Sequence, residues 1–589
     1  MLNFISTYIK FSIMILFSCL FIINSSQAAE LSTKDLQTRI DPGFIEIYSN
    51  NQKNIIKQNE IKVIDEPVME NKLENKPQLT NEVPDIKFEL KGVQFSGNTV
   101  IPASDLERFF KKYIGKEVSL VDIKKSIESI TYVYQEMGYI TSKAYIPPQT
   151  MEDGIVKIAV LEGKIGNIDV NKTKWVRSSY IKNNILKPNE VQSTKVFNIN
   201  NLKSSFNTIN SKEYLKGNVT LKKGTTPETT DIHLNIEEKF PLELSTTYDN
   251  LGRKYIGTQR ADVTIGTKNL TGFGDRFNES ISLSKGVLAL NSNYSLPIGY
   301  RGMELQLGYS HSNVKLGDEL KSQKIRGQSN MLNTGLSLPL YQKNRLNLNS
   351  DVAFNLLTSR ISDAADTFEN KYKLSVIRTG LNLSNEDRTG RFYSRFEVST
   401  GLPLFGATRG KYDQSAPCGQ FVKFEANVTR FQSLPYNTYG VIRASTQYSP
   451  FHLLAPEQSS LGGMYSVRGY SEGFLNADMG YNLSLELRKP IPYLPNRLPV
   501  FYWKHKVVSV PLKNRIFLAT FYDQGLGYQL RQNVPFSYKN FIQSVGSGLV
   551  INISKYLQTN MYIGIPLGHK REESQNSLRF HFGLNSNFK

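Results

Sequence analysis

From residue 242 onward, the chain alternates apolar and polar residues in segments of 8–14 residues that polar loops separate. The last segment is the clearest, because Phe580, Phe582 and Leu584 fall on one face of an extended strand. Sixteen segments can be placed, beginning near Leu242, Arg260, Phe277, Val287, Met303, Met331, Leu346, Tyr372, Arg391, Phe421, Thr438, Tyr481, Arg515, Phe541, Leu557 and Ser577. An even number of alternating antiparallel strands is typical of bacterial outer-membrane barrels. The sequence therefore predicts an all-β, 16-stranded transmembrane antiparallel barrel over residues 241–589.

The lengths of the connections indicate how this barrel is oriented. Connections from odd to even strands are mostly long, at 312–330, 357–371, 402–420, 449–479 and 524–540, whereas those from even to odd strands are mostly short. Long loops face the outside in barrels of this kind, so the N-terminal part of the chain is expected in the periplasm. Two connections break the pattern, since the third-to-fourth hairpin is tight and segment 489–514 is long. A soluble β-sandwich is the alternative, and the loop asymmetry argues against it.

Composition and charge exclude other classes of protein. The mean hydropathy is −0.35, and beyond the N-terminus no apolar run approaches the ~18 residues that a membrane helix needs. The net charge of +19 suits nucleic acid, an acidic partner or an anionic lipid surface, or it reflects lysine-rich loops that keep the chain soluble. Cys418 is the one cysteine outside the N-terminal leader, so the mature chain has no intramolecular disulfide.

The N-terminus reads as an export signal. Residues 1–28 resemble a secretory signal peptide, in which Lys10 precedes an apolar run and the small residues of Ser26-Gln27-Ala28 form a cleavage site. A lipoprotein signal that uses Cys19 is the alternative, although the apolar run continues past that residue. Either signal predicts an exported protein, and nucleic acid is then the least suitable partner.

Residues 29–86 are polar, poor in aromatic residues and rich in Pro, Asn and Glu toward their end, which predicts a linker. One helix is expected after Asp41-Pro42-Gly43, where the sequence has a helix-start pattern. An isolated helix of this size would be marginal in water, so it is expected to dock on another part of the protein.

Residues 87–165 are predicted to form a strand–helix–helix–strand–strand unit. The first strand ends at a turn that contains Gly97, and Ser104 and Glu107 have the spacing of a capping box at the start of the first helix. A second amphipathic helix ends at Gly138, and two alternating strands follow.

Residues 166–240 repeat this pattern less clearly, with a helix face formed by Leu202, Phe206 and Ile209 between two strands. Two small α+β modules in tandem are therefore expected.

Several short motifs of the first module resemble a POTRA domain, and specifically the POTRA domain of the two-partner secretion transporters, the ShlB/FhaC/CdiB haemolysin secretion and activation family. The residues that carry the resemblance are Gly97, Asn98, Tyr134, Gly138, Tyr139, Pro148 and Gln149. The resemblance implies that residues 87–165 and 166–240 are two POTRA domains. It also implies that residues 29–86 hold the plug helix and linker of that family.

The longest predicted external loop contains the motif Val467-Arg468-Gly469-Tyr470, between the eleventh and twelfth strands. An arginine side chain is a planar fork that can hold a carboxylate with two hydrogen bonds. The motif resembles the lid loop of the same family and of the wider BamA-like superfamily. By that resemblance, the inferred partner of the arginine is Asp523, in the segment that also contains Gly525 on the thirteenth predicted strand. The alternative is that these are two unrelated surface charges.

The resemblance implies a function as well as a fold. The expected protein is a translocase in the outer membrane of a Gram-negative bacterium, with its barrel in lipid and its POTRA domains in the periplasm. It would recognise the N-terminal secretion domain of one large exoprotein, of the adhesin, haemolysin or toxin type, and would secrete and in some cases activate it. A BamA-type assembly factor is the alternative, although it usually has more POTRA modules, and a passive pore would lack both modules.

No enzyme activity is expected from the sequence. The six histidines are scattered without metal-ligand spacing, no nucleophile motif rises above chance, and no Walker A pattern is present. The sequence therefore predicts no metal, cofactor or nucleotide.

Overall fold

The structure is a computed structural model, and it describes residues 87–588 except 151–152, 191–195, 211, 213, 300–301, 344, 364–368, 410–416, 493, 496, 504–505, 512–513, 531–539, 555–556 and 568–577. The predicted signal peptide and the predicted plug helix and linker lie outside the described residues. Among the described residues, no helix is both long and apolar enough to cross a membrane.

The first module contains two helices, three strand pairings and one core. Its elements are β1 (Lys87–Glu89), β2 (Gly92–Ser96), α1 (Ala103–Leu106), a 3-10 turn (Glu107–Phe109), β3 (Glu117–Ser119), α2 (Leu120–Glu136), β4 (Lys143–Tyr145) and β5 (Ile155–Leu161). Strand β5 lies between β2, to which it is parallel, and β4, to which it is antiparallel, while β1 pairs with β3. The side chains of α2 that face the sheet are buried, namely Ile123, Ser126, Ile127, Ile130 and Tyr134.

Two details of this module differ from the sequence prediction. The predicted capping box at Ser104 and Glu107 is wrong, because α1 already begins at Ala103 and its N-cap, Pro102, makes no side-chain hydrogen bond. The capping box is instead at α2, where the Ser119 hydroxyl accepts the Asp122 amide at 3.3 Å.

The predicted first strand is also divided in two. The amide of Leu90 donates to Lys116 O at 3.1 Å, whereas the amide of Lys91 donates to Gly154 O at 2.8 Å. The backbone therefore changes its pairing partner between these two residues, which ends β1 and starts β2.

The second module has the same kind of sheet with two helices on it. Its elements are β6 (Lys164–Val170), α3 (Ser178–Glu190), α4 (Ile199–Asn210), β7 (Leu215–Lys223) and β8 (Thr229–Glu238), in the sheet order β6-β8-β7. The sequence predicts β6, α4 and β8, but neither α3 nor β7. The two modules meet at the end of α2, where the Ile199 amide donates to Gly138 O at 2.9 Å.

The described barrel is closed by sixteen antiparallel strands, which confirms the predicted fold class. In order around the wall, its strands are β9 (Leu242–Asp249), β10 (Arg260–Thr267), β11 (Arg276–Ser284), β12 (Val287–Ile298), β13 (Met303–Lys315), β14 (Arg326–Lys343), β15 (Leu346–Ser362), β16 (Glu369–Asp387), β17 (Gly390–Gly401), β18 (Val422–Leu434), β19 (Thr438–Tyr448), β22 (Met479–Pro490), β25 (Ile516–Tyr528), β26 (Phe541–Ser554), β27 (Leu557–Pro566) and β28 (Arg579–Phe588). Two short strands, β20 (Ser459–Leu461) and β21 (Leu475–Ala477), lie in the connection between β19 and β22.

The barrel closes where β28 pairs with β9, and this pairing extends only from Gly583 to Phe588 on the last strand. By contrast, β15 pairs with β16 along its whole length, from Leu346 to Ser362. The tall strands β14, β15 and β16 have 18, 17 and 19 residues, so the long connections predicted at 312–330 and 357–371 are shorter in the structure. The hydrogen-bonded pairing of the strands continues into these connections, although their residues do not alternate between apolar and polar side chains.

The long even-to-odd segment 489–514 contains a β-hairpin of its own. Strands β23 (Arg497–Trp503) and β24 (Lys506–Pro511) pair antiparallel to each other outside the barrel sheet. This hairpin accounts for the length of a connection that the loop pattern left unexplained.

The second module contacts the barrel at the turn between β10 and β11. The Arg177 amide donates to Gly272 O at 3.0 Å, and its guanidinium Nε donates to Thr271 O at 3.1 Å. The same guanidinium lies 4.5 Å from the centroid of the Phe273 ring. The modules are thus hydrogen-bonded to the barrel at the N-terminus of α3.

Candidate functional site: a loop held inside the barrel

The connection 449–478 between β19 and β22, here called the lumen loop, is closed at its base by one aspartate. The Asp478 carboxylate accepts the Leu453 amide at 2.9 Å and the Leu530 amide at 2.7 Å, and it lies 2.9 Å from His452 Nδ1. Asp478 is fully buried. Because Asp478 is the last residue of the loop and binds His452 and Leu453 near its start, the loop returns to the wall close to where it leaves it.

The tip of the lumen loop turns on two consecutive glycines. Gly462 and Gly463 have φ values of +101° and +102°, which side chains with a Cβ rarely adopt. A Cβ on Gly463 would also lie 2.0 Å from the Glu472 carboxylate, which accepts the Met464 amide at 2.8 Å. The backbone can therefore reverse here and send the following residues toward the wall.

Arg468 reaches the barrel wall and forms a two-point contact with Asp523 on β25. Its Nε lies 2.8 Å from Asp523 Oδ2 and its Nη2 lies 2.7 Å from Asp523 Oδ1, so the two planar groups face each other. The Arg468 backbone amide also donates to Asp523 Oδ2 at 3.0 Å. Both side chains are buried, at 2% and 0% exposure. The structure thus brings together the two residues that the sequence analysis paired, on the loop and on the thirteenth barrel strand.

A second carboxylate, Glu486 on β22, completes the charge cluster, and the sequence analysis missed it. It accepts Arg468 Nη1, lies 2.5 Å from Arg488 Nε and 3.6 Å from Arg443 Nη1, and accepts the Tyr562 hydroxyl at 3.0 Å. The signal was present, because in an alternating barrel strand a glutamate and an arginine two residues apart must face the lumen together.

Aromatic rings pack on the faces of the same guanidinium. Arg468 Cζ lies 3.5 Å from the centroid of Phe521 and 4.8 Å from that of Tyr562. The ring faces attract a cation, and they exclude water from the ion pairs. Arg468 is therefore held by carboxylates in its plane and by rings on its faces.

The other motif residues shape the place where Arg468 binds. Val467 and Tyr470 are fully buried, and the Tyr470 ring lies 4.9 Å from that of Phe474. A Cβ on Gly469 would lie 2.7 Å from Pro566 N, and a Cβ on Gly525 would lie 3.2 Å from Val467 Cγ2. Small residues at these two positions let the loop backbone approach β25, β26 and β27.

The predicted POTRA motif residues lie at turns and contacts of the first module. Gly97 has a φ of +79°, and a Cβ there would lie 2.3 Å from Val160 O. Asn98 Nδ2 donates to Ile101 O at 2.9 Å, and Gly138 has a φ of +95°. These three residues therefore set the turns that follow β2 and α2.

The remaining motif residues join separate parts of the module. The Gln149 side chain pairs with the backbone of Lys157 on β5 as a neighbouring strand would. Its Nε2 donates to Lys157 O at 2.7 Å, and its Oε1 accepts the Lys157 amide at 2.8 Å. The rings of Tyr134 and Tyr139 meet edge to face with centroids 6.1 Å apart, whereas Pro148 is exposed.

Glu162, which the sequence analysis missed, links Tyr134 to the turn after β2. Its carboxylate accepts the Tyr134 hydroxyl at 2.9 Å, the Thr99 amide at 2.8 Å and the Val100 amide at 2.9 Å. Burial, reinforced by the hydrogen bond to Glu162, raises the pKa of Tyr134 well above its usual range. Tyr134 thus remains a neutral donor.

We expect Gly97→Ala to destabilise the first module by about 1–3 kcal/mol, because alanine would adopt a left-handed conformation against a carbonyl. Gly92→Ala is the matched control, since its Cβ would meet nothing within 4 Å. Pulse proteolysis of the detergent-solubilised full chain in urea measures the unfolding midpoint of the first module in both variants. Equal urea midpoints for the two variants would contradict the assignment of Gly97.

The cluster around Arg468 binds the lumen loop to the barrel wall. Every charged group in it has a partner within the cluster. Among the residues that the structure describes, no three His, Cys, Asp or Glu side chains are grouped so that they could hold a metal ion. What the geometry can do is hold the lumen loop across the barrel interior by contacts that break without covalent chemistry.

Comparison with known families gives two matches. Residues 228–504 match the family described as haemolysin secretion/activation protein ShlB/FhaC/HecB, and residues 88–163 match the POTRA domain of the ShlB type. Together these matches cover more than half of the chain.

Curated relatives are similar over most of their length. The haem/hemopexin transporter HuxB of Haemophilus influenzae strain 86-028NP is 26% identical over 82% of this chain and 84% of the relative. The outer membrane transporter CdiB of Dickeya dadantii is 22% identical over 82% of this chain and 83% of the relative. The haemolysin transporter HpmB of Proteus mirabilis is 23% identical over 68% and 72%.

Solved structures share the fold. CdiB from Escherichia coli superposes with a TM-score of 0.68 at 20% identity, over 95% of this chain and all of that chain. BamA from Haemophilus ducreyi lacking POTRA domains 1–3 superposes with a TM-score of 0.53 at 14% identity, over 86% of this chain and all of that chain.

Proposed function

The chain belongs to the ShlB/FhaC/HecB haemolysin secretion/activation family and is an outer-membrane transporter of two-partner secretion, and we propose that the lumen loop is the gate through which one large exoprotein passes. The barrel lies in the outer membrane and the POTRA modules lie in the periplasm. We propose further that residues 87–165 and 166–240 are the two modules, that the exoprotein is recognised there by its N-terminal secretion domain, and that the transporter performs no catalytic step.

The proposed gate is supported by the buried contact of Arg468 with Asp523 and Glu486. A loop that is fixed on the inner wall by these contacts occupies space that an extended polypeptide needs. Breaking one buried pair by removing a partner costs about 3–5 kcal/mol, so the loop is stable where it lies until something competes with these contacts. Partner binding would shift the population toward the undocked loop.

Recognition is proposed to use the edges of the two module sheets. In the described residues, β2 and β4 are the edge strands of the first sheet, and β6 and β7 are those of the second. An extended segment of the partner can pair with such an edge, where main-chain hydrogen bonds supply affinity and side-chain pockets supply selectivity. The partner is then expected to cross the lumen extended and to fold outside.

The test is secretion of the exoprotein encoded beside this chain, measured in the medium with and without the chain. We expect release only when the chain is present, with unchanged levels of other barrel proteins in the outer membrane. If release does not depend on the chain, and other barrels fail to assemble without it, the assembly factor is the correct function. The exoprotein without its N-terminal secretion domain is the control, and we expect it to remain in the periplasm.

A further inference from the structure

The first half of the lumen loop has a charge contact of its own, separate from Arg468. Glu457 lies at the end of a 3-10 turn, Ala455–Glu457, and is 1% exposed. Its carboxylate lies 2.5 Å from Arg378 Nη2 and 2.9 Å from Lys423 Nζ. Its carbonyl oxygen accepts Lys423 Nζ at 3.3 Å and Gln447 Nε2 at 3.0 Å.

This contact lies on another part of the wall, and its charges are reversed. Arg378 is on β16 and Lys423 is on β18, whereas the carboxylates that bind Arg468 are on β22 and β25, beyond β19 in the sheet order. At Glu457 the loop supplies the anion and the wall supplies the cations. At Arg468 the loop supplies the cation and the wall supplies the anions.

The chain between the two contacts has a built-in hinge. Gly462 and Gly463, both with positive φ, lie between Glu457 and Arg468. Because glycines tolerate backbone conformations that other residues do not, the segment between Gly463 and Gly473, which also has a positive φ, can move while the β20–β21 pairing holds the base of the loop together. Neither contact shares a charged group with the other.

We propose that Glu457, with Arg378 and Lys423, is a second lock that holds the first half of the lumen loop when the Arg468 contact opens. The loop then opens in two separate steps about the paired glycines. The first half stays on β16 and β18 until the Glu457 lock is broken. The consequence for secretion rests on the proposed gate, but the lock itself is a property of the unliganded transporter.

A native reporter lies beneath the first half of the loop. Cys418 is buried, its amide donates to His452 O at 2.9 Å, and its backbone bridges to Leu453. No engineered cysteine is needed, because Cys418 is the one cysteine after residue 19. Alkylation of its thiol by a maleimide, read on the Cys418 peptide by mass spectrometry, reports whether this half of the loop has left the wall.

The experiment compares Glu457→Gln with Arg468→Ala in the full-length transporter in outer membranes, without any partner. We expect Glu457→Gln to raise the alkylation rate of Cys418 by about tenfold or more, the change that about 1.4 kcal/mol of weakened docking produces. Arg468→Ala is expected to leave that rate near the wild-type value. The matched control is Glu425→Gln, which removes a wall carboxylate 3.2 Å from Lys423 Nζ without touching the loop.

Two results would overturn the second lock. One is an unchanged Cys418 rate in Glu457→Gln, and the other is an equal rise in Arg468→Ala, which would mean that the loop leaves as one body. A folded barrel migrates faster on a gel before heating than after it, so a variant that lacks this shift has failed to fold. In that case Arg378→Gln and Lys423→Gln break the same contact from the wall side and must expose Cys418 if the proposal holds. Because no secretion is measured, failure here leaves the proposed function untouched.

Discussion

Replacing Asp523 with Asn is expected to undock the second half of the lumen loop. Arg468 would keep Glu486 but lose the carboxylate that meets its guanidinium at two points. Removing one partner of a buried pair costs about 3–5 kcal/mol, because the other charge is left uncompensated. That cost changes the ratio of docked to undocked loop by roughly a hundredfold or more.

The measurement uses a cysteine at Ser466, which is buried beside Arg468 in the loop, in a Cys418→Ser background. We expect fast labelling by an impermeant maleimide in Asp523→Asn and in Arg468→Ala, and little further increase in the double variant. Residues that act through one contact are not additive, so the double variant tests whether the pair acts as a unit.

The matched control for this prediction is Asp351→Asn. Asp351 is also a lumen-wall carboxylate with a two-point arginine partner, at 3.0 and 2.9 Å, but that partner, Arg395, is on a strand and not on the loop. We expect Asp351→Asn to label as the wild type does. Slow labelling of Ser466→Cys in Asp523→Asn would show that other contacts, such as Glu486, suffice to hold the loop.

Replacing Glu162 with Ala is expected to unfold the first module and abolish secretion while the barrel stays assembled. The change leaves the Thr99 amide, the Val100 amide and the buried Tyr134 hydroxyl without their acceptor. Each unsatisfied buried donor costs about 1–3 kcal/mol, so a total loss of about 3 kcal/mol or more is expected. A module of this size has little stability beyond that.

Pulse proteolysis in urea measures the unfolding midpoint of the first module. The change in gel mobility on heating shows whether the barrel is folded. Glu162→Gln is the graded control, because an amide oxygen still accepts hydrogen bonds but carries no charge. We expect its urea midpoint to lie between those of the wild type and Glu162→Ala. A Glu162→Ala protein with wild-type protease resistance would show that other contacts hold the turn after β2.

The fold could be predicted from the sequence to a large extent because a barrel strand has a period of two and a lipid-facing side. Counting segments placed Asp523 on the thirteenth strand, where β25 is found. In the N-terminal modules, the sequence pattern does not predict α3, because its amphipathic pattern is weak. The pattern also predicts a capping box at Ser104, which lies one residue inside α1. Local spacing alone does not show which serine stands at the helix boundary.

The site could be predicted only in part, for a different reason. The pairing of Arg468 with Asp523 came from resemblance to known motifs. Glu486 and Glu457 were missed because their importance depends on which strands face the loop across a closed barrel. Residues 457 and 378 are distant in sequence, and only the closed wall places them 2.5 Å apart. Spacing along one chain carries little information about such a meeting.

The short pairing of β28 with β9 makes closure of the barrel depend on the last strand of its wall. Residues Gly583 to Phe588 are the final stretch of the wall, and they pair with Leu244 to Asp249 at its beginning. A truncated copy that ends before β28 would leave β9 and β27 as two open edges, which are sites of aggregation and degradation. A sealed wall therefore requires both end strands of the barrel, since neither can be replaced by another part of the described sheet.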